Sequence, residues 1–138
     1  MEQHEIDSLL PHLHQAIVEQ APDALIFADR SGLIRVWNRA AETLFGYSAG
    51  EVLGGSLDMI IPERLRAAHW AGFEKALGSG VTKYAGRVLT TRSVHKDGRR
   101  LYVDLSFALL KNADGTMAGA LAIARDATER YLAEKGPR

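Results

Sequence analysis

Apolar positions near the start of the chain, at Leu9 or Leu10, Leu13 and Ile17, fall three to four residues apart and make one modest helical stripe. Ser8 is placed to cap a helix from about Leu9 to Gln20, with Pro11 tolerated in its first turn. Residues 1 to about 8 are expected to fray. The period then changes. Ala24-Leu-Ile-Phe-Ala28 and Leu33-Ile-Arg-Val-Trp37 are short apolar runs around Asp29-Arg-Ser-Gly32, which predicts two strands joined by a glycine turn. Asn38 is a good N-cap for a helix over 39–45, closed by Gly46. Ser48 and Glu51, three apart, have the spacing of a capping box, and Leu57 to Ile61 forms a compact apolar bridge. Pro62 then opens a long helix that stops at Gly78-Ser-Gly80.

The last third is strand-like. Lys83 to Val94 is rich in valine and threonine and ends in the turn signal Lys96-Asp-Gly98. Leu101, Val103, Leu105, Phe107 and Leu109 alternate with Tyr102, Asp104, Ser106 and Ala108 over a long strand. Asn112 to Gly115 turns into a last strand over 117–125, and Asp126 begins a further helix. Helix, two strands, several helices and three antiparallel strands predict an α+β domain around one five-stranded antiparallel sheet, with helices on one face and an N-terminal helix.

Within the long helix, Leu65, Ala68, His69, Gly72, Phe73, Ala76 and Leu77 share one face, so an imidazole stands in an apolar stripe. Its nitrogens need a partner, whether a carbonyl, a side chain, water or a metal, because an unpaired buried polar group is costly. An ordinary core histidine satisfies the same pattern. Trp70 and Phe73 are aromatic neighbours suited either to plain core or to a pocket wall. Leu105, Phe107, Leu121 and Ile123 are expected to look inward. Ala118, Ala120, Ala122 and Ala124 give the last strand a smooth face, read either as a contact for a partner or as a thin stretch of core. His12 and His14 do not face each other, and His4 and His95 fall in expected loops.

Composition narrows the classes. The 138 residues suit one domain, and 17 basic residues balance 17 acidic ones, leaving no field for nucleic acid or anionic lipid. No apolar run is long enough to span a bilayer, and the acidic start MEQHEID is no signal peptide, so a cytoplasmic location with no membrane partner is expected. With no cysteine, disulfides, iron–sulfur clusters and cysteine-flavin photochemistry drop out. No nucleophile–histidine–acid, paired-carboxylate or phosphate-loop pattern occurs, so the chain is not expected to be an enzyme.

Six pieces in order carry a family resemblance: Asp29-Arg-Ser-Gly-Leu-Ile, Trp37-Asn-Arg-Ala-Ala-Glu-Thr-Leu-Phe-Gly-Tyr47, Glu51-Val-Leu-Gly54, Ile61-Pro-Glu-Arg, Lys96-Asp-Gly98 and Arg125-Asp-Ala-Thr-Glu-Arg130. Over roughly residues 15 to 130 the chain resembles a PAS domain, the sensory module of bacterial signalling proteins. The resemblance implies a curved sheet cupping a pocket, a homodimer through the helix before the sheet, and output through the sheet to a signalling protein partner or a fused output domain. It divides the chain into an N-terminal flanking helix over 1–20, a PAS domain over 21–128, and the start of an output helix or a tail over 129–138. The chain is expected to be an excised sensor region or a stand-alone protein that signals by contact.

A sharper similarity is to haem-binding PAS oxygen sensors, whose iron is held by a histidine on the long helix. Ile61-Pro-Glu-Arg-Leu-Arg-Ala-Ala-His69 matches their segment in length and register. That resemblance implies haem b ligated by His69, walled by Trp70 and Phe73 and lined by Leu105, Phe107, Leu121 and Ile123, with Lys75 and Lys83 near its propionates. Where those sensors place an oxygen-binding arginine this chain has Leu89, and where one branch has a ligating methionine it has Arg87. Two apart on a strand, Arg87 and Leu89 are expected to share a face, with Arg87 as a donor. An apolar Leu89 favours carbon monoxide, nitric oxide or a redox role over stable oxygen binding. The alternative is the same fold without a cofactor, acting as a dimerisation or protein-interaction module.

Overall fold

The computed structural model describes residues 2–82, 84 and 86–135. Five strands, β1 (Ala24–Asp29), β2 (Ile34–Trp37), β3 (Leu89–Val94), β4 (Arg100–Lys111) and β5 (Met117–Asp126), form one antiparallel sheet in the order β2-β1-β5-β4-β3. Between β2 and β3 come α2 (Arg39–Phe45), α3 (Ala49–Val52), a 3₁₀ turn over Leu57–Ile60 and α4 (Glu63–Ser79). α1 (Gln3–Gln20) precedes the sheet and α5 (Thr128–Lys135) follows it.

The local signals act as expected. Asn38 Oδ1 accepts from the Ala41 amide, Ser48 and Glu51 form the reciprocal capping box, and Gly46 closes α2 at φ 84. A side chain at Gly46 would also strike the His95 ring, 2.5 Å from its Cε1. Two boundaries differ from the sequence expectation. α1 starts at Gln3, so His4 is helical, Pro11 lies inside the helix, and Ser8 Oγ donates to the Glu5 carbonyl instead of capping. The side chain of Gln3 donates to Asp7 one turn on, which supports the first turns of α1 ahead of Pro11. β3 is half its expected length, because Gly86 at φ 71 and the bond from the Arg87 amide to the Tyr84 carbonyl make a turn before Leu89.

The core lies between the sheet and α2, α3 and the 3₁₀ turn. Ala24, Ile26, Ile34, Trp37, Ala41, Phe45, Val52, Ile60, Leu101, Val103 and Ala124 are buried together. Buried Ala24, Ile26 and Ala28 of β1 stand opposite Ala124, Ala122 and Ala120 of β5, and Leu105, Phe107 and Leu109 of β4 stand opposite the same three alanines. The smooth alanine side of β5 is therefore its inner side, which settles the choice in favour of thin core and against a partner contact. Leu121 and Ile123 pair with Phe27 and Leu25 on the opposite face, so the expectation that they look inward is corrected by the strict two-residue alternation. α5 also sits on that outer face, where Tyr131 stacks on Tyr102 at 3.8 Å.

Candidate functional site

Along α4 the half-buried and buried positions are Leu65, Arg66, His69, Trp70, Phe73, Ala76 and Leu77, while Ala68 and Gly72 are exposed. The inward stripe is thus turned toward Trp70 relative to the sequence expectation. His69 keeps its place at the centre, its ring edge-on to Trp70 at 4.5 Å and stacked near Phe73 at 6.4 Å. Trp70 meets Phe73 edge-on at 5.2 Å. A methyl group at Gly32, φ 83, would come 2.9 Å from Trp70 Cζ3, so the indole fits onto the β1–β2 turn only because that residue is glycine.

The electrostatics at His69 are unusual. Its Nδ1 is buried and takes no hydrogen bond. Burial pushes the imidazole below the ordinary histidine value, and the negative charge of Asp58 works against that shift. Asp58 Oδ1 accepts from Trp70 Nε1 at 2.7 Å. Arg66 Nε donates to the carbonyls of Asp58 and Ile61, fixing the 3₁₀ turn beneath α4. Sequence reasoning missed Asp58, although a carboxylate inside the otherwise apolar run 57–61 was the available signal.

Facing this helix, the sheet is covered unevenly. Ala24, Ile26, Leu101, Val103 and Ala124 are fully buried, whereas Leu89, Leu105, Phe107, Leu109, Ala120 and Ala122 are only half-buried. All of these face the helices, so one end of the cup is packed solid and the other is left partly open. α4 approaches β5 and Tyr84 meets Phe107 at 6.1 Å between ring centres. Leu89 stands opposite Leu105 and joins this lining. Arg87 does not share its face: it precedes β3 and is exposed, so the expected donor pair is corrected by the turn at Gly86. Lys75 is exposed, and Lys83 lies outside the described residues. Among the described residues no cluster of three or more His, Cys, Asp or Glu side chains suited to a metal ion occurs.

One family model, the PAS fold, matches the chain over residues 13–127. This chain belongs to the PAS family. Over 111 residues it is 31% identical to the Oxygen sensor protein DosP of Escherichia coli strain K12, covering 80% of this chain and 14% of that protein. Over 55 residues it is 38% identical to the Sensor protein FixL of Bradyrhizobium diazoefficiens, covering 40% of this chain and 11% of that one. The chain thus spans a small part of each relative. The crystal structure of a PAS domain from Colwellia psychrerythraea superposes with a TM-score of 0.74 at 26% identity, over 88% of this chain and 99% of that one. An RNA-binding Light-Oxygen-Voltage receptor shares the fold, with a TM-score of 0.71 at 23% identity over 91% of this chain and 34% of that one. No helix among the described residues is long and apolar enough to cross a membrane.

Proposed function

We propose that this PAS domain is the sensing part of a signalling protein, that its half-open cup binds haem b through His69, and that the domain works as a homodimer. The observation that carries the haem reading is the buried, unpartnered Nδ1 of His69 beside an inner sheet face that is only half covered. An imidazole is a common metal ligand, and a flat apolar group would bury the exposed parts of Leu89, Leu105, Phe107 and Ala122. Similarity to an oxygen sensor supports the same direction. Haem, when bound, would supply an iron able to take up a small gas or to change oxidation state. Trp70 and Phe73 would wall the group, and Leu89 would give it an apolar far side without a charged donor, which suits carbon monoxide, nitric oxide or redox change better than stable oxygen binding.

Homodimerisation is supported by apolar area left uncovered. Leu10, Leu13 and Ile17 of α1 are 37%, 39% and 56% exposed, and the outer sheet face carries Leu25, Phe27, Leu121 and Ile123. α1 as a flanking element over 1–20 and α5 as the beginning of an output element after residue 128 fit a domain that passes its state to a signalling partner or a fused output domain. Similarity to proteins named as sensors supports a sensing role for the domain.

A second reading, the cofactor-free interaction module, is favoured by the seating of Trp70 against Gly32 and its bond to Asp58, which fill space beside His69. Absorbance of purified protein titrated with haem separates the two. A saturable Soret band at one haem per chain, lost or shifted in His69→Ala, supports the first reading; a correctly folded wild type without such a band supports the second.

A further inference from the structure

β3 ends the sheet, and no strand among the described residues pairs with its outer side. Its backbone groups divide between two directions. The His95 amide donates to the Arg99 carbonyl, in the register that sets Ser93, Thr91 and Leu89 opposite Leu101, Val103 and Leu105, so the odd-numbered residues bond to β4. The Lys96 amide points the other way and donates to the Phe45 carbonyl at the end of α2. Thr90, Arg92 and Val94 therefore turn their N–H and C=O groups outward, and no backbone group elsewhere in the described chain bonds to them.

An open edge of this kind is ordinarily blunted by a lysine or arginine that stands in water. Arg92 is placed differently. It is half-buried on the outer face, cross-strand from Tyr102, and its Nε is buried with no acceptor among the described residues. Asp104, opposite Thr90, is already held by Thr90 and Arg130. A guanidinium is all donors, and one whose Nε is shut off from water gains most from a carboxylate brought to it. The surroundings carry the same sign. From Lys75 to Lys96 the sequence has no aspartate or glutamate, while Lys75, Lys83, Arg87, Arg92 and Lys96 are basic. Exposed Arg100 stands opposite Val94, and Val88, 68% exposed just before β3, adds an uncovered apolar residue. We propose that the free edge of β3 is a docking site for an extended acidic segment of a partner protein. The segment adds a sixth strand whose backbone pairs with Thr90 and Arg92, and its carboxylate opposite Arg92 reaches the guanidinium on the outer face. The bond from Lys96 to Phe45 closes one end, so the added strand runs over Val88 to Val94. His69 takes no part, and the site stands whether or not haem is bound.

The probe is the acetylated and amidated octapeptide Ser-Thr-Glu-Val-Thr-Thr-Val-Ser, with glutamine or lysine in place of its glutamate as controls. In ¹⁵N spectra of the whole chain without peptide, the Thr90 and Arg92 amides are expected to exchange quickly with solvent, and those of Thr91 and Ser93 slowly. The glutamate peptide at millimolar concentration should shift the Thr90 and Arg92 amides saturably and slow their exchange about tenfold or more. The glutamine peptide should bind roughly tenfold more weakly, and the lysine peptide more weakly still. Arg92→Glu should reverse the order and take the lysine peptide best; retained protection of Thr91 and Ser93 shows that β3 is still paired. No saturable shift at Thr90 and Arg92 overturns the proposal, as does equal binding of the three peptides. Protection of these amides that grows with protein concentration alone, with a doubled mass in light scattering, gives the edge to a second copy and overturns it too.

Discussion

Asn38 is 1% exposed, and its side chain meets four backbone groups. Oδ1 accepts from the amides of Leu25 and Ala41, and Nδ2 donates to the carbonyls of Val18 and Asp23. One amide thereby ties the end of α1 to the first residues of β1 and the start of α2. Asn38→Ala leaves these groups buried and unpaired, so chemical denaturation should show a loss of about 2–4 kcal/mol with secondary structure retained at low denaturant. Asn38→Asp, which sets a buried carboxylate oxygen against the Val18 and Asp23 carbonyls, should lose at least as much. At this scale the caps at Asn38 and Ser48 and the inward placing of His69 and Phe73 were legible from local spacing, whereas the cap expected at Ser8 was not, because α1 begins at Gln3. What could not be read was the pairing of chemistry across elements. Asp58 meets Trp70 twelve positions away, and Gly32 meets Trp70 from another turn altogether, contacts that exist only after α4 lies across the β1–β2 end of the sheet.

Elements are where facing is decided, and here size misleads. In β5 the larger residues Leu121 and Ile123 point away from the helices while the alanines point toward them. Alternation predicts two faces but not which is inner; the register with buried Ala24, Ile26 and Ala28 decides it. Gly119 follows the same logic. It stands opposite Asp29 beneath Phe27, and a Cβ there would collide with the Ala28 carbonyl oxygen. The outer face also carries the docking of α5. Arg130 grips Asp104 with bonds of 2.7 and 3.0 Å, Thr90 donates to the same carboxylate at 2.6 Å, and Tyr131 stacks on Tyr102. The Arg130 guanidinium first, and the Thr90 hydroxyl next, hold the Asp104 carboxyl below its usual value of 3.8. A depressed folded value means that undocking takes up a proton, so this contact is at full strength above about pH 4 and is lost as pH falls through the folded value. Protection factors for hydrogen exchange across α5, corrected for the intrinsic pH dependence of exchange, should fall on acidification in the wild type, and in Asp104→Asn they should be low already at pH 7 with little further change.

For the whole molecule, the half-covered inner sheet face and the exposed apolar residues of α1 are the surfaces that the proposed ligand and the proposed second copy would cover. The fold class and strand count were legible because each turn and cap is a short-range signal, and six family segments stand in order. The openness of the cup was not, since it depends on how far α4 lies from β4. If a second copy covers α1 and the outer sheet face, removal of residues 1–20 converts the protein to a monomer in sizing with light scattering; an unchanged mass places the interface elsewhere.

The claim that matters most is that His69 is the ligand at the heart of this cup. Replacing it by glycine leaves a hole the shape of the lost ring, which free imidazole can enter. Haem-loaded His69→Gly in the ferrous state is predicted to lose the wild-type spectrum and to recover it on addition of millimolar imidazole. A wild-type spectrum in His69→Gly before imidazole is added would show that the iron is held by some other residue and contradict the account.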